Sequence, residues 1–179
     1  MKKLAILSIM FLFAVTLVQG QTQKAVKETK AERVALRKLE GTKVSVQSTS
    51  AFNFDFKGAT NVQSKRVDTF DEFAFTASDG KKMKAFYDYD NKLVGTTQVK
   101  TFADVPVKGQ QQIKKEYKDY TIGQVVFFDD NEANSTDMML YSVQFEDADN
   151  YFVELTKGTR RIVVQVNTEG SVFFLTELK

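Results

Sequence analysis

The sequence predicts an α+β fold built as two tandem repeats, each of one helix and an antiparallel meander sheet of four or five strands. Three observations predict it. From Val62 onward, short aromatic and β-branched runs are separated by turn residues. One stretch, opened by Val105-Pro106, lacks that alternation. The order of strands and glycine turns in the first half then recurs in the second.

The chain starts with basic Met1-Lys2-Lys3, an uncharged and mostly apolar run from Leu4 to Val18, and small or modest side chains at Val18-Gln19-Gly20. Residues 1–20 therefore read as an export signal peptide, whose removal leaves Gln21 as the first residue and the protein periplasmic or extracellular. The run falls short of the roughly 20 apolar residues a spanning helix needs, so the processed chain is expected not to cross a membrane. Residues 21–43 form a polar, charged arm in which Glu28, Glu32 and Glu40 break up the basic residues, which suits a solvated leader better than an adhesive surface.

The first repeat is expected over 44–103 and the second over 104–179. In the first, Val62–Val67, Phe70–Ala77, Lys82–Tyr89 and Leu93–Val99 read as strands, with turns at Asp79-Gly80 and Asp90-Asn91. In the second, Pro106 can open a helix at its first position, and Val107–Lys118 sets Ile113 and Tyr117 on one face, with Gly109 weakening the first turns. Strands are expected again at Val125–Phe128, Met138–Phe145, Tyr151–Thr156, Ile162–Val166 and Val172–Leu178. Phe73-x-Phe75 before Asp79-Gly80 matches Tyr151-x-Val153 before Lys157-Gly158, and Asp90-Asn91 matches Glu169-Gly170. Phe52-x-x-x-Phe56 then stands where Ile113-x-x-x-Tyr117 stands, with an insertion around Asp129–Phe145 in the second half. That correspondence alone predicts a first helix near residues 44–57, because Phe52–Phe56 by itself alternates like a strand.

These motifs carry a resemblance. F-x-x-x-F-x-G-A-x-N-V at Phe52–Val62, the strand Ala85-Phe86-Tyr87-Asp88, Ile113-Lys114-Lys115-x-Tyr117 and Val164-x-Val166-x-x-x-Gly170-x-Val172 resemble the PepSY-like, beta-lactamase-inhibitor-like domains of exported bacterial proteins over about residues 44–179. The resemblance implies a helix-plus-sheet repeat, binding or inhibition of another protein, and no catalytic residues. Gln63-Ser64 replaces the aromatic that often follows Asn-Val there, and the second half carries the extra insertion.

Composition prunes the functions. Loss of the leader removes Lys2 and Lys3 and no acid, which balances the chain's 25 basic and 23 acidic residues. Without a strong positive field, nucleic acid is not an expected partner. With His 0 and Cys 0, the chain has no Ser-His-Asp or Cys-His nucleophile, no His-Cys zinc site, no disulfide and no thiol to lipidate. Neither Gly-rich phosphate loop is present. Carboxylate chemistry survives, and a hairpin is able to bring Glu146 and Glu154 face to face, but alternate charges on strands normally just meet water and nothing singles that pair out as a hydrolase site.

Two candidate sites remain. The strands carry adjacent aromatic pairs, and alternation puts one ring of each pair on each face of the sheet. A helix covers only one face, so the other is expected to present aromatics to a protein or envelope component. Phe86, Tyr87, Tyr89, Phe127, Phe128, Tyr151, Phe152, Phe173 and Phe174 are the pool of contacts. The competing expectation is that the two half-sheets pack together or a homodimer hides the row. Because Asp88 shares a side with Phe86, that side is expected to be the less buried one. The second candidate is the oxygen-rich run Asp129–Asp137, joined by Asp147 and Asp149, as a calcium or small-ligand site. It lacks the Gly and closing Glu of an EF-hand and has Ala133 among its ligands, so a solvated turn without tight calcium is expected. No cofactor is implied. The sequence thus favours an exported, non-enzymatic binding protein, with the loop reading second and a carboxylate hydrolase third.

Overall fold

The computed structural model describes residues 36–179. The expected export leader and residues 21–35 of the expected arm lie outside them. In chain order the elements are α1 (Val46–Asp55), β1 (Thr60–Val67), β2 (Phe70–Thr76), β3 (Lys82–Tyr87), β4 (Leu93–Lys100), a 3₁₀ turn (Phe102–Asp104), α2 (Val107–Glu116), β5 (Thr121–Asp130), β6 (Met138–Leu140), β7 (Val143–Phe145), β8 (Asn150–Lys157), β9 (Arg160–Asn167) and β10 (Val172–Leu178). Among the described residues no helix is long and apolar enough to cross a membrane.

The fold is α+β, but the expected pair of four- to five-stranded sheets is corrected to a single sheet. Its eight antiparallel strands run in the order β1-β2-β3-β4-β5-β8-β9-β10. The join is the β4–β5 ladder, in register from Gly95↔Asp130 to Lys100↔Val125. The intervening α2 returns the chain antiparallel to the edge that β4 leaves open, and pairing there satisfies backbone groups that two separate sheets would have left bare. A second correction concerns residues 138–145. They form not one strand but the hairpin β6–β7, paired Met138↔Phe145 and Leu140↔Val143 around Tyr141-Ser142. Both turn residues take positive φ, 53° and 62°. This is the hairpin geometry that normally selects Asn-Gly, so neither residue announces it in sequence.

Residues paired directly across strands share a face. The series Met83↔Gln98↔Phe127↔Tyr151↔Val166 therefore marks one face, and both helices lie on it. α1 packs through Phe52 on Phe73, Phe75, Ala85 and Tyr87, with the Phe52 and Phe73 rings stacked at 4.5 Å. This packing and a cap overrule the poor helix propensity of Val46–Asp55. Ser45 in extended conformation accepts the Ser48 N–H at 2.9 Å and opens the helix. α2 sets Ile113 against Val125, Val153, Leu155, Ile162, Val164 and Val166. Pro106 sits one position earlier than expected, as the residue before the first helical turn, with φ −50° and ψ 137°. Gly109 is less a weakness than a requirement. A Cβ there would stand 2.6 Å from Val166 Cγ1, so only glycine lets α2 approach β9 this closely.

The opposite face carries its own core. Phe86, Phe128, Phe152 and Val163 lie there under Met138 and Phe145 of the β6–β7 hairpin. Phe145 contacts Phe128 at 5.2 Å and Phe152 at 4.8 Å between ring centroids. Gly95 makes room for this packing, since a Cβ would lie 2.6 Å from Phe128 Cζ and from the Asp129 carbonyl. The second-half insertion thus covers a face that the helices leave bare.

Candidate functional site

Where the hairpin ends, the helix-free face opens into a trough of about 580 Å³. Its floor crosses β1, β2, β3, β4, β5 and β8, and Leu140 with Tyr141 forms a wall. Alternation in β2, β3 and β4 turns Glu72, Ala74, Thr76, Lys82, Lys84, Phe86, Thr97 and Val99 to this side. Glu72 is buried between Lys65 (3.4 Å) and Lys84 (3.1 Å). At the far end Glu154 accepts from Arg161 at 3.2 Å and from the Tyr141 hydroxyl at 3.5 Å. Burial, reinforced by the neighbouring Glu154 charge and hydrogen bond, pushes the Tyr141 phenol up to about 12, so it stays a neutral donor. Val99 is 62 % exposed on the floor. The arrangement offers apolar contact and paired charges. It converges on no nucleophile with an adjacent base.

The nine aromatic candidates do not form one surface. Phe86, Phe128 and Phe152 are buried on the helix-free face and Tyr87 under α1, so these four are corrected from exposed contacts to core. Phe127 and Tyr151 meet with their rings tilted, centroids 4.6 Å apart, on the helix-bearing face and are half-buried. Tyr89 is exposed, with the Arg37 guanidinium 5.0 Å from its ring. Phe173 and Phe174 are exposed on the edge strand β10. The two meanders form one sheet rather than packing face to face, and within the chain it is the insertion that covers Phe86, Phe128 and Phe152. The expectation built on Asp88 fails for a related reason. Asp88 is buried and fully bonded, its Oδ1 accepting the Asp90 and Lys92 N–H groups and its Oδ2 accepting Asn134 Nδ2 (2.9 Å) and Thr136 Oγ1 (3.2 Å). A carboxylate given four donors no longer needs water.

Those bonds also explain the oxygen-rich loop. Asn131 and Asn134 both donate through Nδ2 to the Leu93 carbonyl, and Gln144 Nε2 donates to Asp137 Oδ2 at 2.8 Å. The run that resembled a ligand set ties the insertion to the β3–β4 turn. Asp130 is pushed up to about 7 by burial, by a hydrogen bond and charge from Asp147, and by the Asp149 charge. Among the described residues no group of three or more acidic side chains is placed to hold a metal ion. The Glu146–Glu154 pairing is corrected as well: Glu146 lies just beyond β7, whose partner is β6, while Glu154 is in β8.

The trough residues Lys82, Lys84, Glu72, Val99, Leu140 and Tyr141 were not legible as a set. Their one sequence signal was the polar-apolar alternation of β3, which marked Lys82 and Lys84 as neighbours of Phe86.

An antiparallel sheet with helices on one face is a fold shared with several solved bacterial proteins. A BLIP-like protein from Bacteroides fragilis superposes with a TM-score of 0.57 at 13% identity, over 76% of this chain and 87% of that one. A DUF2874 family protein from Bacteroides uniformis gives 0.61 at 12%, over 75% and 90%. A protein from Bacteroides eggerthii described as periplasmic gives 0.60 at 12%, over 75% and 89%. The chain has the fold of these BLIP-like and DUF2874 proteins. No family model and no curated protein matches the sequence.

Proposed function

We propose that this chain is an exported, non-enzymatic binding protein that recognises a protein component through the helix-free face. The observation that carries the proposal is the trough, an open surface lined by exposed Val99 and by paired charges on a chain with no His and no Cys. Its rim supports it further. Tyr141 and Ser142 hold left-handed backbone conformations that cost about 1 kcal/mol or more each, a strain kept more often at functional edges than at random. Fold neighbours described as BLIP-like and as periplasmic agree with export and protein binding. Of the aromatic pool, Phe173 on the same face, Phe174 on the edge strand β10 and Tyr89 in the β3–β4 turn remain as exposed contacts.

The test is photo-crosslinking in the native envelope, with a benzophenone side chain at Val99 on the trough floor or at Val107, which is 67 % exposed on the helical side. A discrete adduct is expected from Val99 and none from Val107. Equal adducts from both positions, or none from Val99, would reject the trough as the binding surface.

The same reading takes the chain as two repeats, 44–103 and 104–179. Gly80 (φ 83°) and Gly158 (φ 59°) occupy the β2–β3 and β8–β9 turns, and Asn91 (φ 60°) and Gly170 (φ 81°) the turns that follow. If the units are equivalent, exchanging Asp79-Gly80 with Lys157-Gly158 leaves the melting temperature within a few degrees, by about the scale of a neutral surface change. Loss of folding in that exchange would count against duplication.

A further inference from the structure

The trough carries a charge imbalance. Four cations stand in or beside it against two carboxylates. Glu72 is claimed by both Lys65 and Lys84, and Glu154 by Arg161. Lys82, next to Lys84 on the same side of β3, lines the trough with no acidic partner among the described residues. Lysines that exceed their acids on a half-enclosed floor leave a positive potential with no matching counter-charge among the described residues.

The rest of the surface is apolar at Val99, Val126 and Leu140. Strands spaced about 4.8 Å apart make the six-strand floor about 24 Å long, which matches roughly seven residues of extended chain. We infer that the trough takes an acidic segment of a partner protein, its carboxylates on Lys82 and Lys84 and its apolar side chains on Val99, Val126 and Leu140. A single small acid would satisfy the lysines and leave the apolar length wet, which is why a segment is favoured. This rests on the trough being the binding surface, and the experiment separates the two.

Fluorescent seven-residue peptides of alternating Glu and Val, Gln and Val, or Lys and Val are titrated into the full mature chain by anisotropy at low and high salt. Three variants are run beside it. Lys82→Glu and Lys84→Gln alter the charge, and Ala74→Trp fills the floor. Each variant's fold is checked by its melting curve, and Lys82, which holds no ion pair among the described residues, keeps the test alive should Lys84→Gln loosen Glu72. The expected result is a Glu-Val affinity on the order of tenfold above Gln-Val, a preference that shrinks with salt and is lost in Lys82→Glu. Equal binding of Gln-Val, tighter binding of Lys-Val, unchanged affinity in Lys82→Glu, or no binding of any peptide overturns the acidic partner. If peptides bind without acid preference yet Ala74→Trp abolishes them, the trough survives as a surface and only its charge specificity falls. Full Glu-Val binding in a folded Ala74→Trp chain removes both.

Discussion

Arg66→Ala is expected to lower stability by about 3–5 kcal/mol, because it strands a buried carboxylate. Arg66 and Asp71 face each other across β1 and β2 and make a two-pronged bridge, Nε to Oδ1 at 2.8 Å and Nη2 to Oδ2 at 2.9 Å. Asp71 is 1 % exposed and also accepts the Ser45 N–H at 3.0 Å, so the pair anchors the start of α1 to the sheet. Arg66 reaches further, donating through Nη1 to the Glu40 carbonyl. Burial alone would raise the Asp71 carboxyl, but the Arg66, Ser45 and Ser48 bonds override it and hold the group below its usual value. A lowered carboxyl contributes stability above its unfolded value near 3.8, and that stability is lost as pH falls through the lower folded value.

Asp130 runs the other way. Raised to about 7, it contributes stability that is fully present below 3.8 and is lost as pH climbs through 7. Urea melts from pH 2 to 9 should therefore show an acid limb that disappears in Arg66→Ala and a neutral limb that disappears in Asp130→Asn. A pH profile of Arg66→Ala parallel to that of the parent chain, merely displaced downward, would mean that the bridge does not set Asp71.

Much of the fold was legible because β-strands in this chain obey the period of two. β2, β3, β4, β8, β9 and β10 fall within a few residues of their aromatic and β-branched runs, and the glycines at 80, 158 and 170 mark turns as expected. What was illegible has a common cause. Alternation assigns a side chain to a face but does not say what covers the face. Phe86, Phe128 and Phe152 joined the exposed pool because the covers in view were helices, a facing half-sheet or a second copy, and the hairpin was hidden inside an apparent strand whose turn, Tyr141-Ser142, lacks turn chemistry. Asp88 misled in the same way, since its four donors come from the next turn and from a loop far along the chain. The trough was harder still. Lys82 and Lys84 look like solvated strand lysines, and only the β4–β5 join, which fuses the two meanders, sets them on one floor with Val126 and Leu140.

Phe145→Ala should cost about 3–5 kcal/mol, the range for truncating a large buried aromatic. Phe145 is the one ring of β7 that reaches both Phe128 and Phe152, and Met138, its pair in β6, shares the same cluster. Its removal takes away both ring contacts and leaves a cavity that Gly95, which has no side chain, cannot help to fill. The hairpin has only β6 and β7 in its own small sheet, and a two-stranded ribbon is marginal alone, so its order depends on this anchor. Amide exchange in residues 138–145 should accelerate before the eight-stranded sheet loosens, and binding of an apolar dye should rise as Phe128 and Phe152 become accessible. Phe173→Ala provides the contrast, since an exposed edge ring should change stability by no more than about 0.5 kcal/mol. If Phe145→Ala cost under about 1 kcal/mol, or if exchange rose uniformly across the sheet, the hairpin would not be the cover that closes this face. The wall that Leu140 and Tyr141 give the trough would then have no fixed position.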